Sequence, residues 1–174
     1  MALAQPPDGT TPHTSVAEPG PERTLAPPHH RRSAPPATQL AVVVVNFCQW
    51  KNTARLVRQL RRSVAVRTGT AEVQVVDNAS PAHRLATRVA RLRGVSVRRF
   101  DRNLGFAAAV NRGCRLTGGE WVLLLNPDVT VPDGFLDDVL ARMAKTDIAA
   151  DTGVIGFRLL NRDGTPQPSA GPFP

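Results

Sequence analysis

Four side chains could carry most of the chemistry in this sequence: Asn46, Asp77, Asn103 and Asp128. Each stands at or just beyond an apolar run. Val42 to Val45 ends at Asn46, and Val73 to Val76 ends at Asp77. The run at 95–97 leads through Phe100 to Asn103, and Trp121 to Leu125 meets Asn126-Pro127-Asp128. Short apolar runs of this kind read as buried parallel strands, and proline ends a strand ladder by removing a donor. In open α/β sheets, ligands bind beyond the carboxyl ends of the strands. Four polar groups delivered to that edge therefore mark a candidate site.

The chemistry follows from the residue types. Asp128 is a hard oxygen ligand suited to Mg²⁺ or Mn²⁺, ions that keep waters and borrow substrate phosphate oxygens. Asp77, within Asp77-Asn78-Ala79-Ser80, is a carboxylate able to accept from a nucleobase imide or a ribose hydroxyl. An Asx-type turn into the next helix is the plainer reading of that tetrapeptide. The loop Asp101-Arg102-Asn103-Leu104-Gly105 precedes a helix pattern. A helix start offers free N–H groups and a positive dipole end to a diphosphate, and Gly105 would let backbone approach it closely. A plain helix entry capped by Asn103 would look the same. No Gly-Lys-Ser/Thr phosphate loop and no glycine fingerprint follow the first strand, which argues against an ATPase or a dehydrogenase. Serine-hydrolase, zinc and kinase signatures are also absent. His13, His29, His30 and His83 receive no catalytic role.

Alternating strand and helix patterns position these groups. Strands are predicted at 40–46, 72–77, 95–99 and 120–126, with a further one at 154–157. Helices are predicted at 53–66, from Ser80-Pro81 onward (Ser as cap, Pro at the first helical position), at 106–116 and at 134–144. Asp137 and Asp138 fall near the positive end of the last helix. Asn161-Arg162-Asp163-Gly164 carries a turn signal. The pattern implies right-handed crossovers and a mainly parallel sheet flanked by helices.

Residues 1–38 hold nine of the 16 prolines and few large apolar side chains. They are expected to be a disordered Pro-rich tail, leaving 39–174 as the folded part. Arg23, Arg31 and Arg32 balance Asp8, Glu18 and Glu22, so the net charge of +8 belongs to the folded part. Lys51, Arg55, Arg58 and Arg62 form one helical stripe. It reads as a solvated face, or as a surface attracted to anionic lipid or a phosphate-bearing substrate. Nucleic acid is not expected, since no recognised motif is present and the chain has no Tyr. No apolar run reaches the length of a spanning helix, and Gln5-Pro6-Pro7 interrupts any signal peptide. The expected location is cytoplasmic, peripheral at the inner face of the membrane. Cys48 and Cys114 are expected to be reduced and structural.

Val42-Val43-Val44-Val45-Asn46-Phe47, Val75-Val76-Asp77-Asn78-Ala79-Ser80, the run from Asn103-Leu104-Gly105 to Asn111-Arg112-Gly113, and Leu124-Leu125-Asn126-Pro127-Asp128-Val129 occur in a characteristic order and spacing. Together they resemble the family 2 glycosyltransferases of GT-A fold, especially the rhamnosyltransferase-like branch that builds bacterial polysaccharides. The resemblance covers about residues 40–174. It implies inverting transfer of a sugar from a nucleoside diphosphate donor, a dTDP- or UDP-sugar, to a saccharide or lipid-linked acceptor. Carried over by position, Asn46 and Phe47 flank the base and Asp77 bonds the base or its ribose. Asn103, Gly105 and Asn111 line the donor, and Asp128 holds a divalent metal, Mg or Mn. Two departures stand out. Asn126 replaces the first acid of the family's metal motif, and the chain ends before any match to the segment carrying the general base. The expected protein is therefore a GT-A domain truncated at its C-terminus, able to bind a donor without turning over. The rival readings are a non-catalytic nucleotide-sugar-binding module and, less favoured, a nucleotidyltransferase. The latter would carry a glycine-rich basic loop where Phe47-Cys48-Gln49-Trp50 stands.

Overall fold

The computed structural model describes residues 38–145 and 152–168. The Pro-rich segment assigned to 1–38 lies, but for Thr38, outside the described residues, as do 169–174. Nine elements follow in order: β1 (Leu40–Asn46), α1 (Trp50–Leu60), α2 (Val64–Thr68), β2 (Ala71–Asp77), α3 (Arg84–Ala90), β3 (Val95–Arg99), α4 (Phe106–Arg115), β4 (Trp121–Leu125) and α5 (Phe135–Lys145). The four strands are parallel, in the order β3-β2-β1-β4. The α/β GT-A-like architecture read from the sequence is thus present. Winding runs outward from β1 through β2 to β3, then crosses back through α4 to place β4 on the other side of β1. The direction of winding reverses between β1 and β4, and a crevice opens beyond their carboxyl ends.

Side-chain alternation divides the strands between two layers. Leu40, Val42, Val44, Val73, Val75 and Leu123 pack with Leu56, Val57, Leu60, Val89, Leu136 and Val139 of α1, α3 and α5. Val45 and Val76 face the other way, with Phe100 and Ala109. There α4 comes very close to the sheet, because Gly113 has no side chain. A Cβ at that position would stand 2.7 Å from Val43 Cγ1 and 3.0 Å from Val76 Cγ2.

Four local expectations need correction. The run Trp121–Leu125, expected to be a buried strand, is β4 at the edge of the sheet, with Val122 and Leu124 44% and 41% exposed. The helix expected over 53–66 is two helices, broken at Arg61-Arg62-Ser63, because α5 supplies a second start. The Asp137 carboxylate accepts from the N–H groups of Val64 and Ala65, both at 2.8 Å, and the Ser63 hydroxyl accepts from Leu136 N–H. Asp137 therefore caps α2 from the first turn of α5. The helix expected from Ser80-Pro81 begins instead at Arg84. His83 Nδ1 is its cap, accepting from Leu85 N–H at 3.1 Å, since the Ser80 hydroxyl is engaged by β1. Finally, residues 154–157 are not a strand, and Val154 is 90% exposed. This segment lies beside α5, where Phe157 meets Phe135 at a ring separation of 6.0 Å. The turn signal at 161–164 holds, closed by an isolated Leu160–Pro166 bridge.

Candidate functional site

β1 and β2 run in register, so Asn46 and Asp77 sit side by side at the carboxyl edge. Both are buried, at 0% and 1% exposure, and the sequence's last apolar residues carry them there. Every polar atom of the Asn46 side chain is used. Its amide nitrogen donates to Asp77 Oδ1 at 2.9 Å and to Ser80 Oγ at 3.0 Å, while its oxygen accepts from the Thr53 hydroxyl at 2.8 Å. Ser80 N–H also donates to Asp77 Oδ1, and Cys48 N–H donates to Ser80 Oγ. The network joins β1, α1 and the loop after β2. Buried polar groups are costly unless satisfied, so such a network holds its members in one geometry. Cys48 and Ala79 adopt positive φ, 56° and 63°, without being glycine. Among the described residues, the backbone strain of non-glycine positions thus concentrates beside these strand ends.

One buried atom of the network has no partner. Asp77 Oδ2 accepts no hydrogen bond, and the half-exposed Arg99 guanidinium lies 3.8 Å away. Arg99 is held across this position by donating to the Ser80 carbonyl.

A second set of bonds builds the neighbouring wall. Asn78 donates to Asn103 Oδ1 at 2.7 Å and accepts from Leu104 N–H at 2.9 Å, and Asn103 Oδ1 also accepts from Gly105 N–H. Asn103 therefore shapes the loop and is not the helix cap. Gly105 is the N-cap of α4, with φ 79° and no side-chain cap bond. Gly105 and Phe106, at the start of α4, line the crevice, and the positive end of a helix favours an anion. Asn78 lines the cleft described below, which the reading of its tetrapeptide as a turn passed over.

A cleft of about 340 Å³ lies at the reversal point. It is lined by Phe47 and Gln49 after β1, by Asn78 after β2, by Asn103, Gly105 and Phe106 at the entry to α4, and by Asn126, Pro127 and Asp128 after β4. Of the residues expected at the site, Phe47, Asn103, Gly105 and Asp128 converge here. Asn46 and Asp77 sit beneath the edge, and Asn111 is exposed on α4 without lining the cleft. Asp128 is the cleft's one carboxylate among the described residues. Asp133 pairs with Arg62 at 2.7 Å and Asp137 caps α2, so neither is free for chemistry. A larger apolar cavity of about 730 Å³ follows the free edge of β4. It lacks the convergent polar groups of a nucleotide site.

The model of the glycosyl transferase family 2 matches residues 41–171. The chain belongs to that family. Solved structures agree on the fold of this family member. The crystal structure of S. aureus TarS 1–349 aligns with TM-score 0.55 at 24% identity, covering 62% of this chain and 32% of that one. TarS 1–349 in complex with UDP-GlcNAc aligns with TM-score 0.55 at 22% identity, over 68% of this chain and 37% of that one. The mannosyltransferase PcManGT from Pyrobaculum calidifontis, in complex with GDP-Man and Mn²⁺, gives TM-score 0.51 at 23% identity, over 62% and 31%. The chain thus spans about a third of the length of these structures. Among curated protein sequences, none matches.

The donor set can be tested against a divalent metal. Among the described residues, no three His, Cys, Asp or Glu side chains gather into a cage. Asp128 and Asn126 instead offer two hard oxygens to a cleft that the start of α4 also lines. That arrangement fits Mg²⁺ or Mn²⁺, which take one or two protein oxygens and complete their shell with water and substrate phosphate.

Proposed function

We propose that this chain is the donor-binding part of a glycosyltransferase that moves a sugar from a nucleoside diphosphate donor to a saccharide or lipid-linked acceptor, with inversion. The observation that carries the reading is the cleft at the reversal point, lined both by the start of α4, which has no side-chain cap, and by Asp128. The names of the similar structures, which carry UDP, UDP-GlcNAc or GDP-Man with Mn²⁺, support a nucleotide-sugar donor. The resemblance to the rhamnosyltransferase-like branch favours a dTDP- or UDP-sugar and a place in bacterial cell-surface polysaccharide synthesis.

In this reading Phe47 flanks the base. Asp77 Oδ2 accepts from the base or its ribose when Arg99 moves aside, and Asn46 acts from beneath by holding the other carboxylate oxygen. Asn103 and Gly105 shape the diphosphate wall, and Asn111 lies on the donor side of α4. Asp128, with Asn126, would hold the metal, which would offset the charge developing on the leaving diphosphate. Deprotonation of the acceptor hydroxyl is assigned to none of the described residues: Asp133 pairs with Arg62, and Asp137 caps α2. Lack of a base costs about 10²–10⁴-fold in rate, so the chain alone binds donor and supports at most slow hydrolysis. The protein works in the cytoplasm, and Lys51 and Arg58 of the basic stripe are available for peripheral membrane contact. Among the described residues no helix is long and apolar enough to cross a membrane.

Calorimetry with UDP and dTDP, with and without Mn²⁺, tests the proposal. Binding strengthened by Mn²⁺, and loss of that strengthening in Asp128→Ala, is the expected result. Equal affinity in both conditions would remove the metal assignment, and no binding of either nucleotide would remove the function.

A further inference from the structure

The stripe Lys51, Arg55, Arg58 and Arg62 on α1 does not act as one surface. Arg62 pairs with Asp133. Arg55 reaches across the fold, its Nη2 donating to the backbone carbonyl of Asp128 at 3.0 Å, between residues 73 positions apart. Lys51 and Arg58 make no hydrogen bond or ion pair among the described residues. Together with the Ser63 and Asp137 contacts, the result is a row of fastenings from α1 and α2 onto the stretch that runs from the end of β4 into the first turn of α5. The bond from Arg55 is the first of the row and falls at the cleft itself.

We propose that Arg55 is a positioning residue for the donor site. It fixes the Asn126–Asp128 turn so that the Asp128 carboxylate faces the cleft. This rests on the donor-binding reading above and goes beyond it, because Arg55 is not among the residues that line the cleft. Pro127 and Val131 are buried and anchor the turn from within. The turn's own backbone bond, Val129 N–H to Asn126 C=O, is long at 3.3 Å. The Asp128 carboxylate itself has no partner among the described residues. Its direction therefore depends on the peptide that carries it, and Arg55 is the side chain that holds that peptide. A guanidinium suits the task because it stays charged and keeps its donors in a rigid fork. Arg55 also ties two of the segments that line the cleft together, since α1 begins immediately after Phe47 and Gln49, while Asp128 follows β4.

The test compares Arg55→Ala, Arg55→Lys and Arg58→Ala with the unaltered chain. The last removes an equal charge from the same helix without removing a bond. One readout needs no ligand: amide hydrogen exchange at Val129 and its neighbours. Arg55→Ala is expected to speed exchange there several-fold, with Arg58→Ala unchanged and Arg55→Lys between. The other readout is calorimetric affinity for UDP or dTDP with Mn²⁺, and for the nucleotide alone. Loss of one hydrogen bond with a net value of about 0.5–1.5 kcal/mol corresponds to a roughly 2–12-fold loss. Arg55→Ala is expected to lose that much of the Mn²⁺-dependent affinity and to leave metal-free binding unchanged. The ratio should persist in 0.5 M salt (a roughly chosen screening level), where a through-space charge effect would fade. Unchanged exchange in Arg55→Ala, or equal effects of Arg55→Ala and Arg58→Ala, would overturn the inference while donor binding stands. Absence of nucleotide binding by the unaltered chain would overturn both.

Discussion

Replacing Asn46 by alanine removes three buried hydrogen bonds that tie β1 to α1 and to the loop after β2. The partners left behind do not suffer equally. The Thr53 hydroxyl can turn to a carbonyl one helical turn earlier, and Ser80 Oγ still accepts from Cys48 N–H. Asp77 loses most, because Oδ1 keeps only the longer Ser80 N–H bond at 3.3 Å and Oδ2 has none. A buried partner left unsatisfied costs about 1–3 kcal/mol, and more when charged. The expected loss is therefore about 3–4 kcal/mol, a large share of the roughly 5–15 kcal/mol that holds a domain together. Urea unfolding followed by circular dichroism measures it. Thr53→Val, which removes the hydroxyl but little volume, should cost about 1–2 kcal/mol. The double variant should cost less than the two singles summed, by about 0.5 kcal/mol or more, because the residues share one network. Asn111→Ala, on an exposed helix face, should stay within about 0.5 kcal/mol of the unaltered chain. A loss under about 1 kcal/mol for Asn46→Ala, or strict additivity with Thr53→Val, would refute the network as the organiser of this edge.

Gly113→Ala should destabilise the domain by about 1–3 kcal/mol, the usual range for overpacking, since the new methyl meets Val43 and Val76; thermal unfolding would show it. Asp137→Ala removes the acceptor of two backbone N–H groups at the start of α2. A loss of about 1–2 kcal/mol, as for other helix caps, with little change in Asp138→Ala, would separate capping from a general dipole effect. The Thr165 hydroxyl, with its N–H, holds the Asp163 carboxyl below the usual carboxylate range. A lowered folded value means that this contribution is present at neutral pH and fades as pH falls through that value. Proton titration of Thr165→Val by NMR should return Asp163 toward the ordinary carboxylate value, and an unmoved titration would remove the assigned cause.

Much of the frame was legible in the amino-acid sequence. Continuous apolar runs can be satisfied only between two helical layers, so the strand ending at Asn46 and the one ending at Asp77 were readable as they stand. The polar residue after each run necessarily lands at one sheet edge, and that made Asp77 and Asp128 visible as candidates. What each group does there was decided by partners far along the chain. Asn46 turns inward because Thr53, Asp77 and Ser80 together match its donors and acceptor. Ser80 cannot cap α3 because β1 claims its hydroxyl, and His83 takes that place. The break after Leu60 comes from Asp137 and Leu136 of α5, more than 70 positions away. Periodicity records which face of an element is buried, but a hydrogen bond between distant side chains leaves no periodic trace. The direction of the Asp128 carboxylate belongs to that second kind of information, since it depends on an arginine one stripe of charge could not single out.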